Sequence, residues 1–240
     1  MKAKIRALLI KESFFPGWLG VFVNPFYFAR LGLAKAMQRY SKLLDGKLLD
    51  VGCGTIPYGS LFNVDVYVGL DIDSESSRKR GVADSFYDGN IFPFSENEFD
   101  SILCNQVLEH VFNPDIFLLE INRVMKPGAK MLLTVPFVWD EHEQPYDYAR
   151  YSSFGLKALL ERNGLKVLRH EKLGGDASII FQMINAYLYK ISEGWNKYIR
   201  LFFTIFVMGF VNLLGLTARY VLPKNPDLFL DHIVLVEKPR

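Results

Sequence analysis

Lys47–Tyr58 reads K-L-L-D-V-G-C-G-T-I-P-Y. Leu48, Leu49 and Val51 form an apolar strand, and Asp50 leads into the glycine turn Gly52-Cys53-Gly54. A strand that runs into such a turn and then a helix start directs backbone N–H groups at a polar or anionic ligand, with no Cβ in the way. The nicotinamide-dinucleotide fingerprint needs a third glycine three positions after the second, where helix and strand pack closely. Pro57 occupies that position and an acid precedes the first glycine. A nicotinamide oxidoreductase is therefore disfavoured.

Outward from this turn, strands and helices alternate as expected of a parallel sheet. Strands are expected at about 47–51, 66–70, 83–87, 99–105 and 129–136, with only a short helix over 57–63. Asp71 lies at the end of the second strand, about 20 residues after the glycines, where a carboxylate accepts hydrogen bonds from ribose hydroxyls. Asn113-Pro114 reads as a helix start with a capping side chain and Pro at the first position. Ile116, Leu119 and Arg123-Val124 mark that helix up to Lys126-Pro127-Gly128.

Together D-V-G-C-G, V-G-L-D-I-D, I-F-P-F-S-E-N-E-F-D, L-E-H and K-P-G-A-K follow one another in an order that resembles the class I S-adenosylmethionine-dependent methyltransferases, type 11-like group. That family usually has a third glycine where this chain has Ile56. The resemblance implies a doubly wound α/β fold with a seven-stranded Rossmann-like sheet and an antiparallel last strand, here 232–237. It also implies S-adenosyl-L-methionine as cofactor. The residues it assigns to that cofactor are Asp50, Gly52, Cys53, Gly54, Asp71, Ile72, Asp88, Gly89, Asn105 and Gln106. Asp88 would accept from the adenine amino group, with Ile91 and Phe92 covering the ring; Asp73 is a second choice for the ribose.

Half of the 240 residues are hydrophobic and 15% aromatic. Residues 1–42 carry eight Lys/Arg and one acid, a charge of +7, which leaves −5 for the rest. A basic arm interleaved with Phe14, Phe15, Trp18, Phe22, Phe26 and Phe28 suits a lipid headgroup boundary better than nucleic acid. The same arm, containing a helix over 26–40 with Asn24 near its cap, is alternatively a lid. Two cysteines exclude a disulfide framework or a zinc cluster and read as reduced, buried residues of a cytosolic protein. No signal peptide is expected, since Lys11 and Glu12 interrupt the apolar run 7–10.

Ligands of open α/β sheets lie beyond the carboxyl ends of the strands. Residues 137–151, F-V-W-D-E-H-E-Q-P-Y-D-Y-A-R-Y, should therefore face the acceptor. Trp139, Tyr146, Tyr148 and Arg150 are the expected acceptor-binding residues, suited to a sugar, a phenol or a phosphorylated headgroup. Arg150 alternatively pairs with Asp147. A hydroxyl acceptor needs a base as well as alignment, and His142 is the first choice, oriented by Asp147 or Glu141, with His110 the second. No metal is expected, because the neighbours Glu141, His142 and Glu143 point apart on regular structure.

A helix over 152–163 and a strand from 165 precede a long insertion. Within it, Leu201–Ala218 runs 18 residues without a charge between Arg200 and Arg219. Its length makes it a marginal transmembrane segment. If the last strand rejoins the sheet, however, both ends stay on one side of a bilayer, which favours a monotopic or re-entrant helix. Thr204, Met208, Asn212 and Gly215 give this helix one small, polar face, and Ile179, Met183, Tyr187 and Ile191 predict a preceding helix with a stripe. A homo-oligomer interface or a helical cap is the alternative use of the apolar surface. The expected organisation is an arm or lid over 1–45, a methyltransferase domain over 46–175 and 231–240, and a helical insertion over 176–230. The expected function is O-methylation of a sugar, lipid-linked glycan or other amphiphile at the cytoplasmic face of the membrane. The alternative is a non-catalytic cofactor-binding adaptor of a membrane-associated complex.

Overall fold

A computed structural model describes residues 2–240; Met1 and the side chains of Lys2 and Ala3, at the tip of the basic arm, lie outside the description. In chain order the elements are α1 (Lys2–Phe14), α2 (Gly20–Val23), α3 (Tyr27–Tyr40), β1 (Lys47–Val51), β2 (Val66–Ile72), α4 (Glu75–Arg80), β3 (Ser85–Tyr87), β4 (Phe99–Asn105), α5 (Pro114–Val124), β5 (Met125–Pro136), α6 (Ser153–Arg162), β6 (Lys166–Leu173), α7 (Ser178–Ile191), α8 (Lys197–Phe203), α9 (Gly209–Val221) and β7 (Asp231–Glu237). A π-turn over Thr204–Met208 joins α8 to α9. The chain divides into two compact units: residues 37–137, 141–171 and 232–240, and residues 1–36, 138–140 and 172–231. The arm and the insertion, separate segments in sequence, thus fall in one unit.

The first unit is built on a seven-stranded sheet of order β3-β2-β1-β4-β5-β7-β6. The first five strands in chain order run parallel, paired as Val51 with Leu70, Ile72 with Tyr87, Val51 with Cys104 and Cys104 with Leu133. Reciprocal bonds between Lys238 and the Gly128–Ala129 segment make β7 antiparallel. Leu48, Leu49 and Val51 are wholly buried, as a central parallel strand covered on both faces requires. Full burial of each such side chain is worth about 1.5–3 kcal/mol. Ser74 caps α4 by accepting from Ser77 N–H, and Gly81 closes it in the left-handed conformation. Ser152 caps α6 in the same way through Gly155 N–H.

Local expectations at α5 and β5 are corrected. Asn113 precedes α5 but its side chain makes no capping bond; Pro114 alone starts the helix. Ile116 and Leu119 are exposed, and the buried face is Phe117, Leu118, Ile121 and Val124. β5 also begins earlier than expected. Lys126-Pro127-Gly128 stops the helix but already belongs to the strand, with a register irregularity between Phe99 and Ser101.

The second unit is helical and packs in an inverted sense. Gln182 and Asn185 of α7 and Asn212 of α9 are buried, whereas Ile180, Ile184, Tyr187, Phe202, Phe206 and Phe210 are exposed. Gln182 Oε1 accepts from Phe28 and Ala29 N–H, and its Nε2 donates to Pro25 O. Asn212 Nδ2 donates to Val21 O and Asn24 O, while its Oδ1 accepts from Asn185 Nδ2. Gly209 and Gly215 let the backbones close up: a Cβ on Gly215 would stand 2.6 Å from Phe28 Cζ. The expected small face of the long helix is buried at Met208, Asn212 and Gly215. The expected stripe on α7 is not one face: Ile179 is buried, but Tyr187 and Ile191 are exposed. Residues 197–221 form, among the described residues, one helix long and apolar enough to cross a membrane, with 28% of its most apolar stretch buried.

Candidate functional site

The carboxyl ends of β1, β2 and β3 lie side by side in parallel register, with Asp50 near the end of β1 and Asp73 and Asp88 just after β2 and β3. After β1 the turn is held open by its glycines: Gly52 and Gly54 have φ of +71° and +55°. Gly52 and Cys53 N–H both donate to Leu70 O, which fastens the turn to β2. A Cβ on Gly52 would meet Val107 Cγ2 at 2.4 Å, whereas the space at Gly54 is open to 4.0 Å. Ile56, at the family's third glycine position, adopts φ +50°. The backbone there is left-handed although the residue is β-branched, a conformation that costs about 1–3 kcal/mol and persists only where the surroundings impose it.

Asp50 is buried beneath this turn, and Tyr67 OH donates to its Oδ2 at 2.6 Å. Burial pushes the carboxyl up to about 7; the Tyr67 hydrogen bond pulls it back and the nearby Asp71 charge pushes the same way as burial. Burial likewise raises the Cys53 thiol to about 12, so it is protonated at neutral pH. Cys53 and Cys104 are both free and buried.

Asp71 Oδ1 accepts from Ile72 N–H, and its Oδ2 pairs with Arg80 at 2.8 Å. Asp73 is exposed and accepts from Nε and Nη2 of Arg78. Asp88 is exposed; its Oδ1 accepts from Asn90 and Ile91 N–H, and these bonds hold it below the usual carboxylate range. Ile72 and Ile91 are exposed and Gly89 has φ +95°. Phe92, expected beside the adenine, is instead in the core against Tyr87 and Phe117. Asn105 and Gln106 end β4 and meet on Thr134, whose hydroxyl donates to Asn105 Oδ1 and accepts from Gln106 Nε2. Tyr67, Arg80 and Thr134 were not foreseen. They are distant in sequence from the acids and amides they serve, and no motif marks them.

A second cluster brings together the two histidines expected near the acceptor. The His110 and His142 rings lie 4.8 Å apart, edge to face. His110 Nδ1 contacts Tyr146 O at 2.9 Å. A carbonyl only accepts, so Nδ1 carries the proton and Nε2 the lone pair. Burial lowers the His110 pKa, opposed by the Tyr146 bond and reinforced by His142, which leaves a neutral imidazole at pH 7. Asp147 is gripped by both terminal nitrogens of Arg150 at 2.6 and 2.7 Å and also accepts from His142 N–H. Burial pushes its carboxyl up, but these bonds outweigh burial and bring it to about 2. The His142 Nδ1 lies 3.3 Å from Asp147 Oδ2 and 3.5 Å from Arg150 Nη2.

Tyr146 and Tyr148 are exposed, and Tyr148 packs on Phe112. Trp139 belongs to the helical unit, edge-on to Phe26. Glu109, His110 and His142 bring potential metal-ligand atoms within 4.8 Å of one another. The Arg150 guanidinium beside His142 is an unfavourable neighbour for a cation.

The open, glycine-walled turn with carboxylates on the adjoining strand ends suits an adenosyl ligand with hydroxyls and an exocyclic amine to satisfy. Comparison with known proteins agrees. Residues 26–170 match the methyltransferase-domain family. Over 174 residues the chain is 27% identical to an uncharacterized protein of Methanocaldococcus jannaschii, covering 68% of this chain and 82% of that one. A 104-residue stretch is 33% identical to the fatty-acid O-methyltransferase of Mycolicibacterium smegmatis, 38% of each chain. Phosphoethanolamine N-methyltransferase 2 of Haemonchus contortus, in complex with S-adenosyl-L-methionine, superposes with a TM-score of 0.56 at 15% identity, over 96% of this chain and 59% of that one. This chain thus spans less than two thirds of the latter two proteins. On the family match and the fold, the chain belongs to the class I S-adenosylmethionine-dependent methyltransferases.

Proposed function

We propose that this enzyme methylates a hydroxyl group of an amphiphilic small molecule, such as a sugar or lipid-linked glycan, at the cytoplasmic face of a membrane. The observation that carries the hydroxyl is the pairing of His110 and His142, with Asp147 beside His142. S-adenosylmethionine, when bound, supplies an electrophilic methyl group on a sulfonium. Asp71 and Asp88 would hold its ribose and adenine, and the open space at Gly54 would admit its amino-acid end. His142, held beside Asp147, takes the acceptor's proton. His110, fixed by Tyr146 O, is the alternative base. Arg150 is committed to Asp147 and orients it rather than binding the acceptor. Tyr146 and Tyr148 offer exposed rings for a sugar or phenol face.

The amphiphile rests on the helical unit: amides inside and aromatic or aliphatic side chains outside suit hydrocarbon better than water. The fatty-acid O-methyltransferase relative supports an O-linked, apolar acceptor class. The test is transfer of labelled methyl from S-adenosylmethionine to a membrane extract by wild type and His142→Ala. A labelled lipid or glycan lost with the variant is expected. Binding of S-adenosylhomocysteine with no labelled product from any extract would sink the enzyme reading and leave a cofactor-binding adaptor. Flotation with liposomes tests the membrane half, and protein left at the bottom of the gradient would remove it.

A further inference from the structure

The helical unit contains a cavity of about 390 Å³ bounded by α1, the α2–α3 turn, the end of α7 and the start of α8. That volume falls in the range of about 300–1,000 Å³ usual for small-molecule sites. Its wall is cationic and aromatic: Tyr189, Trp195, Lys197 and Arg200 line it. The Arg200 guanidinium lies 4.3 Å over the Tyr189 ring, which fixes its plane, and its Nη2 is buried without a hydrogen-bond partner. Among the described residues neither Lys197 nor Arg200 has a carboxylate within 4.0 Å. The one acid of the wall, Glu12, accepts from Gly17 N–H at 2.7 Å and abuts Gly20. Beyond Arg200 the same helix continues as exposed Leu201, Phe202 and Phe206.

We infer that this cavity binds the phosphate of a membrane amphiphile, with its acyl or prenyl chain laid along the apolar face of α8. A guanidinium oriented by Tyr189 and with no carboxylate partner among the described residues matches a phosphate oxygen, and Lys197 adds a second charge. The adjoining apolar helix distinguishes a lipid-borne phosphate from a free anion. The site goes beyond the methyl-transfer reading, since none of its residues belongs to that machinery.

The test uses the full chain and calorimetric titration with soluble dihexanoyl phosphatidylglycerol, inorganic phosphate and dihexanoyl phosphatidylcholine. Wild type should bind the phosphatidylglycerol in preference to both others. Arg200→Gln should weaken that binding about tenfold or more, the loss typical of a charge-assisted hydrogen bond, and Lys197→Gln about fivefold. Lys224→Gln, exposed and outside the cavity, should leave it unchanged. S-adenosylhomocysteine binding by each variant reports the integrity of the other unit and keeps a failure here separate from a failure of the methyltransferase reading. Should Arg200→Gln not fold, Lys197→Gln, whose side chain is exposed, carries the test. Unchanged affinity in the folded variants, equal affinity for inorganic phosphate, or no binding of the phosphatidylglycerol by wild type would each overturn the inference.

Discussion

Replacing Asp50 with asparagine should stabilise the enzyme at alkaline pH and flatten its stability profile between pH 4 and 7. The carboxyl is buried under the glycine turn with Tyr67 OH as a donor, and its pKa rises from 3.8 to about 7 in the folded state, chiefly through burial. The sign follows from proton counts. Between these two values the folded state holds a proton that the unfolded state has released, so stability falls as pH rises. Its favourable share is fully present below about pH 4 and lost once pH passes 7. A shift of roughly three units corresponds to about 4 kcal/mol of differential stability across that window, an upper bound for one group. Asparagine has nearly the same shape and no charge, and its amide oxygen can still accept from Tyr67. The D50N variant should therefore match wild type near pH 4 and exceed it by up to about 4 kcal/mol at pH 8. Tyr67→Phe should do the reverse at pH 8, leaving a buried carboxylate without its donor at a cost of about 1–3 kcal/mol. Urea unfolding in steps from pH 4 to 8 measures both. Parallel profiles for wild type and D50N over that range would refute the claim that Asp50 titrates inside the fold.

Gly52→Ala puts a Cβ 2.4 Å from Val107 Cγ2 at a φ of +71°. A loss of about 2–4 kcal/mol in urea unfolding is expected, with S-adenosylhomocysteine binding weakened in titration. Because burial lowers the His110 pKa below 6.5, acidification should add a proton to the unfolded state first and reduce stability as pH falls through that region; His110→Gln should remove this dependence in pH-stepped thermal melts. Asp147→Asn should weaken the hold on His142 and Arg150 and lower kcat about tenfold to a hundredfold in methyl-transfer assays, with S-adenosylhomocysteine affinity unchanged. Asn212→Leu removes the bonds to Val21 O and Asn24 O and one of the two that Asn185 Nδ2 makes, and a loss of about 2–4 kcal/mol should appear as a lower melting temperature.

The strands were legible because central parallel strands are continuous apolar runs closed by turn residues. β1 and β4 fall where the sequence placed them, and the glycine turn marks the switch from strand to helix. The ends of α5 and β5 were less legible. Pro127 and Gly128 stop a helix in either reading, and only pairing with β4 reveals that the strand has already begun. Ile116 and Leu119 lie on the same helix as the true core face but are offset around it. Apolar residues on several faces hide the phase of an eleven-residue helix. In the site, the carboxylates could be found because their strand-end positions are fixed by topology. Their partners could not, since Tyr67 on Asp50 and Arg80 on Asp71 depend on side-chain reach across strands and turns. The His110–His142 pairing lay between these cases: each histidine stood in a recognisable segment, but nothing in the spacing of 32 positions gives a ring separation of 4.8 Å.

The helical unit shows why hydropathy alone misreads the long apolar run. A soluble core helix would bury Phe202, Phe206 and Phe210 and expose Asn212; here the order is reversed. Water would penalise that arrangement twice, once for the exposed aromatic surface and once for desolvating amides that gain only about 1 kcal/mol each on pairing. In hydrocarbon the first cost disappears, and the amides, with Gly209 and Gly215, become the means by which helices hold together. A spanning helix would not need this, since its ends would lie on opposite sides, whereas here β7 returns to the sheet from which β6 left. On the proposed membrane reading this is a helix lying in an interface, polar side down on its own unit, with Arg200, stacked on Tyr189, standing where its apolar face begins.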